Sequence, residues 1–190
     1  MLICRRGLLA GLSASAATMP AASVLAQASL DSERTRILRS LAPDTQSPQS
    51  GGPAPRPPRQ VPADDSGSLV VVSVSSVRTV DLTVFFDFDS DVILPKGART
   101  LVALADVLRT PVLARSRMLI AGHTDARGRA DYNVDLSFRR ARAVREHLVV
   151  VHEIEARRLL VHGFGPAEFK DTSRPFDASN RRVEVAVIVD

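Results

Sequence analysis

MLIAGHTDARGRADYNVDLSFRRARAV, residues 118–144, is the stretch in which the chain passes from the period of a strand to that of a helix. Residues 118–121 form a short apolar run that suits a buried strand. Residues 122–131 follow as a polar turn with Gly122, Thr124, Asp125 and Gly128. From about Asn133 to residue 149, Val134, Phe138, Ala141, Val144 and Leu148 recur at helical spacing. The polar turn therefore sits on the end of a strand, where a rigid scaffold presents side chains to ligands.

The flanks continue the alternation. Upstream, residues 69–74 and 80–88 are rich in Val, Leu and Phe and predict strands. Pro95 suits a first helical turn, and Ala98, Leu101, Ala105 and Leu108 repeat at helical spacing until Pro111. Downstream, residues 159–164 predict a third core strand and 165–179 a long loop. In residues 183–189, Val183, Val185, Val187 and Val189 alternate with Glu184, Ala186 and Ile188, as in a last strand. The order β-α-β-α-β-β implies an α/β (α+β) sandwich with helices packed on one face of a mixed sheet.

With 190 residues there is room for one ordinary domain and a tail, which excludes a two-domain enzyme. Seven Phe, one Tyr and no Trp are too few rings for a base-stacking nucleic-acid module. The net charge is +4, and two of those charges, Arg5 and Arg6, lie in an N-terminal segment without an acid. Bulk-charge binding of a polyanion is not indicated, and nucleic acid is not an expected partner.

Residues 1–28 read as a signal peptide: two arginines, an uncharged run rich in Leu and Ala, then Ala26-Gln27-Ala28, with Ser29 as the first mature residue. Arg5-Arg6 before Gly7-Leu8-Leu9 suits the twin-arginine route and the general secretory route alike. Residues 7–28 are also long enough to act as a retained anchor, although Pro20 and many Ser and Ala make the segment weak. Either way the expected location is the periplasm or cell envelope, with outer-membrane association. The single cysteine, Cys4, precedes the apolar run, so it is misplaced for lipidation, and after it no disulfide, thiol chemistry or cysteine-ligated zinc is possible. Residues 29–42 predict a short helix with Asp31 or Ser32 as cap and Ile37, Leu38 and Leu41 on one side. Residues 43–68 hold seven of the twelve prolines and predict a disordered linker, which places the folded domain at 69–190.

Asn133 and Arg140 are seven residues apart, two helical turns, so they share a face. With Asp125 they put a carboxylate, an amide and a guanidinium around one helix N-terminus. That set can hold a zwitterion, the carboxylate taking an ammonium and the arginine fork a carboxylate. The plainer readings are a locally bonded turn at Asp125 and a solvated helical charge at Arg140.

These residues also carry a family pattern. Gly122-His123-Thr124-Asp125, Gly128, Tyr132-Asn133, Leu136-Ser137, Arg140-Ala141 and Val144 resemble, without a gap, the signature of the OmpA-like peptidoglycan-binding domain. Asn180-Arg181-Arg182-Val183-Glu184 resembles the opening of that family's last strand, and Phe86-Asp87-Phe88-Asp89-Ser90 its first-strand exit. The resemblance covers residues 80–189. It implies a domain that binds the diaminopimelate of the peptidoglycan stem peptide without covalent chemistry or a cofactor. In it Asp125 would hold the ammonium and Arg140 the carboxylate, Thr124, Asn133 and Leu136 would shape the pocket, and Arg181 and Asp89 would stand on the rim. The glycine usual after the second helix is replaced by His152-Glu153, and the 165–179 loop is this chain's own.

Two other classes compete. A wall hydrolase would use His123 and Asp125 with His147, His152 or His162, yet no metal-site spacing or nucleophile elbow appears. A structural envelope stalk would bind an envelope or outer-membrane protein through its N-terminal segment.

Overall fold

The computed structural model describes residues 21–43, 58–65, 68–87 and 89–189. The charged start of the expected signal peptide, most of its apolar run and residues 44–57 of the proline tract lie outside them. The described chain forms helix α1 (Ala21–Leu41), strands β1 (Arg59–Asp65) and β2 (Ser68–Leu82), helix α2 (Pro95–Leu108), β3 (Met118–His123), α3 (Ala130–Val150), β4 (Leu159–Gly165) and β5 (Val183–Ile188). From β2 onward the order is the expected β-α-β-α-β-β. The sheet runs β1-β2-β5-β3-β4, with β3 and β4 parallel and every other pair antiparallel. One bridge, Asp64 to Val161, joins its two edges into a barrel.

Alternation along the strands sorts apolar residues into two cores. Met118, Ile120, Val183, Val185 and Val187 face outward to meet Leu101, Leu104 and Leu108 of α2 and Ala141, Val144 and Leu148 of α3. Leu119, Ala121, Leu160, Ala186 and Ile188 point the other way and are covered by Val61, Ala63, Val72 and Val74. The helices therefore do lie on one face of a mixed sheet, and the β1–β2 hairpin curls over the other. The curl coincides with a register shift between Val74 and Thr79, where Ser75 Oγ accepts the Arg78 amide at 3.0 Å. The two strands expected at 69–74 and 80–88 are thus one bent strand. It ends at Leu82, and Phe86 keeps only an isolated bridge to Ile93.

Two boundaries differ from the sequence reading. Residues 59–65, expected within the linker, form β1, in which Val61 and Ala63 are buried and Pro62 between them is exposed. A strand at the end of the sheet order tolerates the missing proline donor. The helix expected at 29–42 begins at Ala21 and is docked: Ile37 and Leu41 are fully buried in the helix-side core. Arg34 pairs with Asp106 of α2 at 3.2 Å, and Arg78 Nε donates to the Leu41 carbonyl at 3.0 Å. Residues 26–29 of α1 are exposed, and the buried residues Ile37 and Leu41 lie after the expected cleavage point.

Candidate functional site

Close packing of α3 on the ends of β3 and β4 builds the site. A Cβ on Gly122 would stand 2.0 Å from the Ser137 carbonyl oxygen, and one on Gly163 would stand 2.5 Å from the Phe138 nitrogen. Ser137 Oγ accepts the Gly165 amide at 2.9 Å and donates to the Val134 carbonyl at 2.8 Å, tying α3 to β4. Val134, expected in the apolar stripe, is 44% exposed, whereas Asn133, Leu136 and Ser137 are buried. The helix turns a polar first turn toward the 122–128 loop. Gly122→Ala, which drives backbone into backbone, is expected to destabilise the domain by about 3 kcal/mol or more. Thermal unfolding checks it, and an unchanged midpoint would show that α3 can shift freely.

The loop holds its shape through α3. Asn133 Nδ2 donates to the Arg127 carbonyl at 2.7 Å, and Gly128 between them has φ +85°, a conformation that favours glycine. The Thr124 amide donates to the Gly165 carbonyl at 2.9 Å and the Ala126 amide to the Pro175 carbonyl at 3.0 Å, which fastens the loop to the β4–β5 connection.

A cleft of ≈ 550 Å³ opens between this loop, the first turns of α3, residues 83–89 and the segment before β5. All seven residues singled out in the sequence line it: Asp89, Thr124, Asp125, Asn133, Leu136, Arg140 and Arg181. Asp125 is 5% exposed. Its Oδ2 faces Arg181 Nη1 at 2.5 Å and Arg127 Nη1 at 3.5 Å, and its Oδ1 accepts the Arg127 amide at 3.1 Å. Arg140 Nε donates to the Ser90 carbonyl at 2.9 Å, and its guanidinium lies 5.0 Å over the Phe86 ring. Among the described residues no carboxylate is in ion-pair contact with Arg140. Burial first, and then the neighbouring Arg181 charge, push its pKa below the ordinary arginine value. Thr124 Oγ1 is buried beside the cleft without a hydrogen-bond partner. Asp89, at φ +51°, accepts from the Tyr132 hydroxyl at 2.7 Å on the rim.

Four contributors escaped the sequence reading as site residues: Arg127, Phe86, the Ser90 carbonyl and Tyr132. Tyr132 was present in the motif, and Arg127 stands two residues from Asp125, but no pattern announces a backbone acceptor. The histidines do not converge. His123 and His162 both lie against Phe164, and His147 faces His152. No group of three metal-ligating side chains comes together among the described residues. His123 is instead buried 3.5 Å from Glu184. Burial pushes the Glu184 carboxyl up, but contact with His123 and the Arg59 charge hold it below the usual range. Glu184 also belongs to an ion-pair lattice with Arg59 and Arg182, and Arg182 reaches on to Asp81. That lattice anchors the strand start that carries Arg181.

Known proteins resemble the chain over more than half its length. It is 33% identical over 135 residues to outer membrane porin F of Pseudomonas aeruginosa, covering 70% of this chain and 37% of that protein. It is 35% identical over 105 residues to the peptidoglycan-associated lipoprotein of the same organism, covering 54% and 60%. The chain thus spans less than two thirds of the length of either. The OmpA-like domain of FopA1 from Francisella tularensis shares the fold, with a TM-score of 0.51 and 23% identity over 58% of this chain and 73% of that one. The OmpA family's profile matches residues 85–182, which hold every cleft-lining residue but Thr83 and Val84, and the chain belongs to that family.

Proposed function

We propose that the chain is a non-catalytic peptidoglycan-binding protein of the cell envelope that grips the diaminopimelate of a stem peptide between Asp125 and Arg140. Family membership, and a relative named for peptidoglycan association, support the coarser part of this reading. The finer part rests on one observation: a buried carboxylate and a half-buried guanidinium with no carboxylate partner line the same cleft. The ammonium and carboxylate on one diaminopimelate carbon would satisfy the two together, each by charge-assisted hydrogen bonds. Thr124, Asn133 and Leu136 would wall the site, with Asp89 and Arg181 at its rim. Binding needs no cofactor. The proline tract at residues 44–57 serves as a tether, and export through residues 1–28 places the domain in the periplasm. Among the described residues no helix is long and apolar enough to cross a membrane.

Co-sedimentation of the full chain with purified sacculi tests the reading. The chain should pellet with walls that contain diaminopimelate and stay in the supernatant with walls that carry lysine at the same position, because lysine lacks the second carboxylate. Equal pelleting with both would remove the diaminopimelate assignment and leave attachment to peptidoglycan by other groups.

A further inference from the structure

Asp125 is shared by more cations than it can neutralise. Arg181 and Arg127 both address the same oxygen, Oδ2, at 2.5 and 3.5 Å, and their side chains remain 43% and 67% exposed. Arg140 faces the same cleft with the Ser90 carbonyl and the Phe86 ring against it and, without ion-pair contact, the charge of Asp89 nearby. Three guanidinium groups therefore meet one buried carboxylate. Arg182 adds no free charge, because Asp81 and Glu184 hold it. Asp89 is engaged by Tyr132 on the rim.

Building on the diaminopimelate reading, we infer that Arg181, helped by Arg127, forms a second anion subsite that takes an additional carboxylate of the ligand once the ligand's ammonium has replaced Arg181 at Asp125 Oδ2. The exchange conserves the number of ion pairs at Asp125. An ammonium arriving at Oδ2 takes the position that Arg181 Nη1 holds, and the released fork lies at the mouth of the cleft. There it can receive a carboxylate bidentately. A ligand with one ammonium and one carboxylate would leave Arg181 displaced and unpaired near Arg140, with which it repels. The chemistry that fits is a peptide with a second free carboxylate next to the diaminopimelate. In a stem peptide that group is the α-carboxylate of a γ-linked D-glutamate, which is lost when the residue is amidated.

Calorimetric titration of the full chain with two dipeptides reads this directly. γ-D-glutamyl-meso-diaminopimelate and its γ-D-isoglutaminyl analogue, each acetylated on the glutamyl amine and amidated on the L-centre carboxyl of the diaminopimelate, differ only by that carboxylate against an amide. The parent chain should prefer the acid by about tenfold, the effect of one charge-assisted contact. Arg181→Gln should abolish the preference, since it loses a contact only the acid makes and relieves the amide of displacing an arginine that then stays unpaired. Arg127→Gln should reduce the preference in part. Both dipeptides binding the parent equally would overturn the subsite and leave the clamp of Asp125 and Arg140 standing. A preference that survives in Arg181→Gln would overturn the assignment to this residue. Binding of neither dipeptide would sink the diaminopimelate reading itself, and the subsite with it.

Discussion

Asp125→Asn and Arg140→Lys are each expected to weaken binding to diaminopimelate-containing sacculi by about 30-fold or more, a change of about 2 kcal/mol, while the chain remains folded. Asn keeps the shape of Asp125 and can still accept the Arg127 amide, so the turn persists. It cannot neutralise an ammonium, and it leaves Arg181 and Arg127 without a partner at that oxygen. Lysine at position 140 keeps the charge but loses the planar fork. It also loses the Nε donation to the Ser90 carbonyl that fixes the direction of the group. Arg139→Ala separates the clamp from bulk attraction. Arg139 is the next residue on α3, about 100° around the helix, and pairs with Asp135 at 2.9 Å without lining the cleft. A mechanism resting on net positive charge would penalise positions 139 and 140 equally, whereas the clamp leaves the Arg139→Ala variant near parental binding. Equal losses at the two arginines, or full retention by a folded Asp125→Asn chain, would remove the clamp.

The parts of the site that could be read in advance are those that one element and its adjoining loop carry together. Asp125, Asn133 and Arg140 lie within sixteen residues of each other, and helical spacing alone places the last two on one face. The contact that most alters the electrostatics, Arg181 to Asp125, joins residues 56 apart and depends on where β5 pairs with β2 and β3. No local period encodes that. Val134 shows the converse. It fits the apolar stripe by spacing, yet the polar bonds of Asn133 and Ser137 decide which side of the first turn faces inward. At the fold level, α2 and α3 announce themselves because their apolar residues repeat several times. β1 has only Val61 and Ala63 to bury, separated by a proline. Its strand character comes from the seven residue pairs it makes with β2 rather than from its own composition.

That dependence leads to the second large effect. A chain that begins at Leu69 is expected to lose cooperative folding, whereas one that begins at residue 58 keeps it and one that begins at Ser29 is the most stable of the three. Starting at 69 deletes the whole of β1 and with it the cover that Val61 and Ala63 give to Leu119, Ala121 and Leu160. Burial of a Val, Leu or Ile side chain contributes about 1.5–3 kcal/mol. Uncovering that core therefore costs on the order of 5 kcal/mol, enough to exhaust a domain at the lower end of ordinary stability. Starting at 58 keeps the core under β1 whole but takes from the helix-side core Ile37 and Leu41 of α1, both fully buried; two such side chains are worth about 3–6 kcal/mol. The ordering is read by urea unfolding followed by circular dichroism, and independently by limited proteolysis of the full chain, where the protected domain should start near residue 58. If the 69–190 fragment unfolds as cooperatively, and at the same midpoint, as the 58–190 fragment, β1 adds nothing to the fold. The proline tract would then be a linker through to residue 68.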